Sequence, residues 1–284
     1  MTGAASPAAT PDWEKITGDI WADHWRETDA ALEGVEAALV AAVKAVAPEG
    51  PFRAFDIGCG AGTTALAVAD KVPGASIAAC DISPALAAIA RQRAEGRNNI
   101  RIIVGDAVEA AAAEAPVDLF FSRHGVMFFA DPPAAFRAFR SAAAPGAPLV
   151  FSCFRDWESN PWASELARAA AGGAIPAPGR EPSGFAFADP AYVRGILSSS
   201  GWAPAEPQAV NFTYVAGGGD EAVERALSFM SQLGPAARVL QSLSEREADR
   251  ALARMRQVIE QHFDGAAVAF PAAAWIWQAR ARTT

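Results

Sequence analysis

Between residues 52 and 154 the chain alternates short apolar runs with stretches of helical periodicity, and no other feature constrains its fold as tightly. Residues 52–57, 76–80, 100–104, 117–121 and 148–154 read as strands, while 63–71, 84–95, 107–114 and 132–144 read as helices. A strand that returns to its sheet through a helix crosses over right-handed, so this order builds a mainly parallel sheet with helices on both faces. The expectation is an α/β architecture.

The flanks are less regular. Residues 1–11 are rich in Ala, Ser, Thr and Pro and read as a flexible tail, and 12–48 as N-terminal cap helices. There Trp13, Ile16, Ile20, Trp21, Trp25, Leu32, Val35, Leu39 and Val43 recur at mostly helical spacing until Pro48 stops the pattern. After a core over 49–154, residues 155–188 lapse into Pro, Gly and Ala around Trp157 and Trp162, which suggests an insertion or lid. The remainder, 189–284, supplies a helix over 190–200, a strand over 208–215 broken by Gly217–Gly219, helices over 221–233 and 245–262, and a β-like run over 267–279.

A length of 284 residues suits one large α/β domain with an appended lobe. The longest apolar stretches, such as 37–46, are too short to span a bilayer, and no apolar run follows a charged start, so a cytoplasmic protein is expected. Cys59, Cys80 and Cys153 lie far apart in apolar segments, as buried thiols would. A net charge of −8 disfavours a nucleic-acid partner. His24, His124 and His262 are too scattered for a metal site, although a carboxylate-held magnesium stays open. Neither a Gly-x-Ser-x-Gly elbow nor a phosphate-binding Gly-Lys-Ser/Thr loop occurs.

The first strand runs into Phe55-Asp56-Ile57-Gly58-Cys59-Gly60-Ala61-Gly62, where glycines let the backbone turn sharply and approach a ligand. A dinucleotide fingerprint would continue with Gly or Ala at residue 63, which is Thr. Asp56, just before the first glycine, is a poor neighbour for a pyrophosphate and a good one for a cationic or amino-bearing ligand. Asp81 ends the second strand, where doubly wound folds place a carboxylate for ribose hydroxyls, and Ile82 behind it can cover an adenine face. Asp106, in Gly105-Asp106-Ala107, is placed to meet an adenine amino group. Asp81 and Asp106 could also serve as helix caps.

These segments resemble the nucleotide-binding motifs of class I S-adenosylmethionine-dependent methyltransferases, in the ubiquinone/menaquinone-biosynthesis-like (type 11/25) group of small-molecule enzymes. The similarity extends to Phe121-Ser122-Arg123-His124-Gly125-Val126-Met127-Phe128-Phe129-Ala130-Asp131-Pro132, Asn160-Pro161-Trp162, Phe185-Ala186-Phe187-Ala188-Asp189-Pro190 and Pro271-Ala272-Ala273-Ala274-Trp275. It implies a Rossmann-like, seven-stranded, mainly parallel sheet whose last strand is antiparallel and inserted beside the fifth, with N-terminal and inserted helical caps. It implies S-adenosylmethionine as cofactor, with Asp56, Gly58, Cys59, Gly60, Gly62, Asp81, Ile82, Asp106, Ala107 and Ser122 around it.

His124 follows Ser122 and Arg123 at the strand end where acceptor and methyl group would meet, and could take a proton from a hydroxyl nucleophile; packing or solvation is the plainer role. Trp21, Trp25, Trp157 and Trp162 could form an aromatic lid over a sulfonium, with Arg123 near the substrate, although burial alone also accounts for each tryptophan. Asp131-Pro132-Pro133-Ala134 lies about ten residues past Phe121 and reads as a helix cap, not as an amino-methylation signature. The expected function is methyl transfer to a small molecule by a monomer or homodimer, the acceptor atom (O, N, C or S) unresolved. A NAD-dependent oxidoreductase and a noncatalytic S-adenosylmethionine-binding protein are the alternatives.

Overall fold

The structure is a computed structural model and describes residues 12–283; the tail expected over 1–11 lies outside them. Helices α1 (Ile16–Asp23) and α2 (Trp25–Val46) lead into β1 (Phe52–Ile57), α3 (Thr63–Lys71), β2 (Ala75–Asp81), α4 (Pro84–Arg93), β3 (Ile100–Val104), α5 (Ala107–Ala113), β4 (Leu119–Arg123), α6 (Pro132–Ala142) and β5 (Pro148–Phe154). There follow α7 (Pro161–Ala171), α8 (Pro190–Ser199), β6 (Trp202–Pro204), β7 (Gln208–Gly218), α9 (Ala222–Gln232), α10 (Pro235–Leu240), α11 (Glu245–Gln261) and β8 (Ala267–Ala281).

Strands β1 to β5 are parallel in the order β3-β2-β1-β4-β5, and β8 runs antiparallel beside β5. The strand order reverses between β1 and β4, which opens a crevice at the carboxyl ends of these strands. Leu149, Val150, Phe151 and Cys153 of β5 have no exposed surface, as expected of a central strand covered on both faces. Phe136 and Phe139 of α6, Phe151, Trp202 and Trp277 fill the layer around it, and Trp202 Nε1 donates to Phe136 O at 2.9 Å.

The sheet has eight strands where seven were expected. Pro204 lies opposite Ala279 and Gln208 opposite Ile276, so β6 and β7 follow one another along the same edge of β8. Pro207, which has no N–H to give to the ladder, falls in the break. Strand β7 also continues through Gly217, with a bulge after Val215, where a break was expected. A Cβ at Gly217 would run into the carbonyl of Ala222, so the glycine lets α9 approach the strand. Strand β4 spans 119–123, not 117–121, because Asp118 is spent holding Arg53: its carboxylate accepts the Arg53 N–H at 2.8 Å and its own N–H donates to Arg53 O. Asp131 caps α6 ahead of Pro132 by accepting from Ala134 N, which confirms the cap reading.

Candidate functional site

The chain leaves β1 through a turn in which Gly58, Gly60 and Gly62 all take positive φ (66°, 55° and 84°). Side chains are excluded from one flank, since a Cβ at Gly58 would lie 3.3 Å from Gly125 Cα, and one at Gly125 would lie 2.6 Å from Ile57 O. The other flank is open: a Cβ at Gly60 meets nothing within 4 Å. Cys59 is buried beneath the turn and donates its N–H to Cys80 O. The turn is therefore a preformed concavity of bare backbone.

Asp81, at the end of β2 and 8% exposed, accepts from Gly60 N at 2.7 Å and from Ser83 N at 2.9 Å. Burial raises its carboxyl pKa while these two bonds pull it back. Each oxygen keeps a lone pair for a further donor. Asp106 caps α5 through Oδ1, which accepts from Val108 N and Glu109 N, and Ile82 and Ala107 are half-buried beside these two carboxylates in sequence. The Ser122 hydroxyl donates to Ile57 O at 2.6 Å and accepts from Gly125 N, so the side chain clips β4 to β1.

Asp56 is 1% exposed, and neither of its oxygens has a partner among the described residues. Burial first, then the neighbouring Glu36, holds its pKa well above the ordinary carboxyl value, against the opposing pull of Arg123. Around it lies a network that the sequence reading missed. Arg123 Nη2 donates to Asp29 Oδ1 at 2.7 Å, and its Nε lies 3.4 Å from Glu36 Oε2. Arg93 Nη1 donates to Asp29 Oδ2, Ala61 O and Thr63 Oγ1; Thr64 Oγ1 donates to Glu36 Oε2 at 2.9 Å. Burial works against the Arg123 charge, but Glu36 and Asp29 outweigh it and raise its pKa. Arg123 Nη1 and Glu36 Oε1 remain buried without partners. The signal was present in α2: Asp29 and Glu36 share the face of Leu32 and Leu39, and acids in an apolar stripe demand partners.

His124 has φ +58°, the one non-glycine residue with positive φ among the described residues. Its side chain is buried, its Nδ1 lies 2.8 Å from Ser152 Oγ, and its ring packs 4.2 Å from that of Phe154. Burial, and then Arg123, push its pKa down to about 3, so the imidazole is neutral at physiological pH.

The four expected tryptophans do not form one lid. Trp21 packs with Trp13, which meets Phe128 edge-on, and Arg26 and Arg93 each lie over the ring of Trp25 at 4.4 Å. Trp157 and Trp162 belong instead to a wall with Phe154, Phe185 and Tyr214, in which Trp162 and Tyr214 stack in parallel at 4.4 Å. The sequence spacing could not reveal this separation, because it arises from which element each helix packs on. Helix α1 lies close over the crevice, a Cβ at Gly18 reaching 2.5 Å from Ser83 Oγ. No group of His, Cys, Asp and Glu suited to a metal ion occurs among the described residues.

Residues 54–146 match a family model described as a methyltransferase domain. The malonyl-[acyl-carrier protein] O-methyltransferase of Xylella fastidiosa (strain M23) is 32% identical over 134 residues, covering 47% of this chain and 45% of that protein. The demethylmenaquinone methyltransferase of Thermus thermophilus is 32% identical over 110 residues, covering 38% and 50% respectively. The alignments thus span about half the length of these curated relatives. Among solved structures, a putative methyltransferase from Bacillus halodurans superposes with a TM-score of 0.56 at 15% identity, over 87% of this chain and all (100%) of that one. The [4+2]-cyclase SpnF superposes at 0.57 and 15% identity, over 98% and 100%. These two likenesses establish the fold.

Proposed function

We propose that this chain, whose residues 54–146 match a methyltransferase domain, is a class I, S-adenosylmethionine-dependent enzyme that transfers a methyl group to a small-molecule acceptor. The observation that carries the reading is an excess of buried acid at the switch point. Asp29 and Glu36 share Arg93 and Arg123, Asp81 accepts only from backbone N–H groups among the described residues, and both oxygens of Asp56 lack partners there. S-adenosylmethionine brings an ammonium and a sulfonium against one carboxylate, which such a site attracts; a nicotinamide dinucleotide brings a pyrophosphate, which it repels.

The residues fit the cofactor group by group. Asp81 would take the ribose hydroxyls, Asp56 the ammonium, Arg123 Nη1 the carboxylate, the remaining oxygen of Asp106 the adenine amino group, and Ile82 an adenine face. When bound, S-adenosylmethionine supplies an electrophilic methyl group. The protein's contribution is to hold the acceptor in line and keep water out, which can provide much of the acceleration. The wall of Phe154, Trp162 and Tyr214 supports a flat, apolar acceptor. The deciding assay incubates the protein with methyl-labelled S-adenosylmethionine and an extract of the source organism; a labelled small molecule supports the reading, and none with competent cofactor binding overturns it.

Two further outcomes are expected. Because burial holds the Asp56 carboxyl pKa above its ordinary value, the ligand-free protein binds this proton more tightly folded than unfolded. Its stability therefore falls as pH rises from the ordinary carboxyl value through the raised one. A ligand ammonium favours the carboxylate, so binding releases a proton and affinity climbs with pH until Asp56 is ionised. Calorimetry in two buffers of different ionisation enthalpy should detect the released proton, and Asp56→Asn should abolish both the release and the pH dependence. Gly60→Ala places a methyl in open space, at a strain of about 1–2 kcal/mol from its positive φ. It should fold with a slightly lower melting temperature and lose at least tenfold in affinity for S-adenosylhomocysteine; unchanged affinity would show that the ligand lies elsewhere.

A further inference from the structure

His124 combines three features: a backbone in the left-handed region, a buried Nδ1 held by one hydroxyl, and a buried Nε2 with no partner. A left-handed histidine is retained at a cost of roughly 1–2 kcal/mol, which is expected where the fold must aim a side chain at a ligand. The position agrees, since the next residue, Gly125, abuts the turn at Gly58.

Ser152 decides what the imidazole can do. It has no exposed surface, and its hydroxyl finds one partner among the described residues, His124 Nδ1. If Nδ1 carried the proton, it would donate to the serine oxygen and leave the serine O–H without an acceptor, a buried loss of about 1–3 kcal/mol. If Ser152 donates to Nδ1, the serine O–H and Nδ1 satisfy each other and the ring proton sits on Nε2. Each arrangement strands one donor, the serine O–H or Nε2–H, but Ser152 has no exposed surface whereas His124 keeps 7%, so only the stranded Nε2–H can be reached by an acceptor from the crevice. Nε2–H is then a buried donor lacking an acceptor, and such groups in a native protein call for a ligand.

We propose that Ser152 fixes His124 as the Nε2–H tautomer, so that His124 offers the methyl acceptor a hydrogen bond instead of taking its proton. The acceptor class is then one whose carbonyl, carboxylate or phenolate oxygen lies beside the methylated atom. This rests on the methyltransferase reading for its substrate, though not for the tautomer. The neutral ring agrees with burial and with Arg123 as its charged neighbour. Ser152 acts as a positioning residue, through His124.

The test is a long-range proton–nitrogen spectrum of the full chain with labelled histidine, the His124 signals being assigned by their loss in His124→Asn. From pH 5 to 8 the expected pattern is an unprotonated Nδ1 and a protonated Nε2, becoming a mixture of tautomers in Ser152→Ala and reverting in Ser152→Thr. An imidazolium or an Nδ1–H tautomer in the parent protein overturns the proposal, and that measurement needs no variant to fold. On the acceptor found by the extract assay, Ser152→Ala should lose about tenfold in kcat/KM without gaining a new pH limb. An acceptor with no such oxygen removes the substrate class. Calorimetry with S-adenosylhomocysteine on the same sample separates the two readings: absent binding defeats the methyltransferase assignment, whereas binding beside the wrong tautomer defeats only this one.

Discussion

Arg123→Met is expected to lower the melting temperature by on the order of 10 °C. The guanidinium is 11% exposed and neutralises Asp29 and Glu36 while facing Asp56. Removing one partner from a buried ion cluster leaves the rest uncompensated, at about 3–5 kcal/mol. For a chain of this size each kcal/mol moves the melting temperature by about 2–4 °C. The same principle gives the control. In Arg123→Met with Glu36→Met, Asp29 keeps its ion pair with Arg93 and the other acid that Arg123 neutralised is gone, so much of the stability should return, while affinity for S-adenosylhomocysteine stays low because Arg123 Nη1 is still missing. Differential scanning calorimetry decides: a single variant melting within about 2 °C of the parent would mean that water already solvates the cluster.

This network also marks the boundary of what could be read from the residues alone. The alternation of β1 to β5 with α3 to α6 was legible because each unit declares its period locally, in Ile57 running into Gly58 or Ser83-Pro84 opening α4. The carboxylates placed at those junctions, Asp81 and Asp106, were legible for the same reason. Strand β6, of three residues, and α10, of six, are too short to show any period. What failed most instructively was register. Arg123 pairs with Ser152 across β4 and β5, and this alone brings Ser152 to His124, 28 residues away. Nothing in the apolar run around Ser152 announces a partner. The bond by which the Ser122 hydroxyl joins β4 to β1 was equally hidden, since it too depends on which strands lie side by side.

The largest loss of binding should follow Asp81→Asn, where the two roles of one carboxylate can be told apart. In the folded chain its oxygens accept from Gly60 N and Ser83 N. An amide presents one acceptor and two donors, so one of these backbone donors would face an NH₂ group. That local mismatch costs about 1–3 kcal/mol and should lower the melting temperature by several degrees. A pair of ribose hydroxyls would in addition lose a charged acceptor, each such bond being worth about 1.5–3 kcal/mol. Together these predict at least 100-fold weaker binding of S-adenosylhomocysteine by calorimetry. Asp106→Asn is the informative contrast: Asn caps a helix as well as Asp does, so α5 should be undisturbed and affinity should fall only a few-fold. If the two variants bind equally well, the ribose is not held at the end of β2.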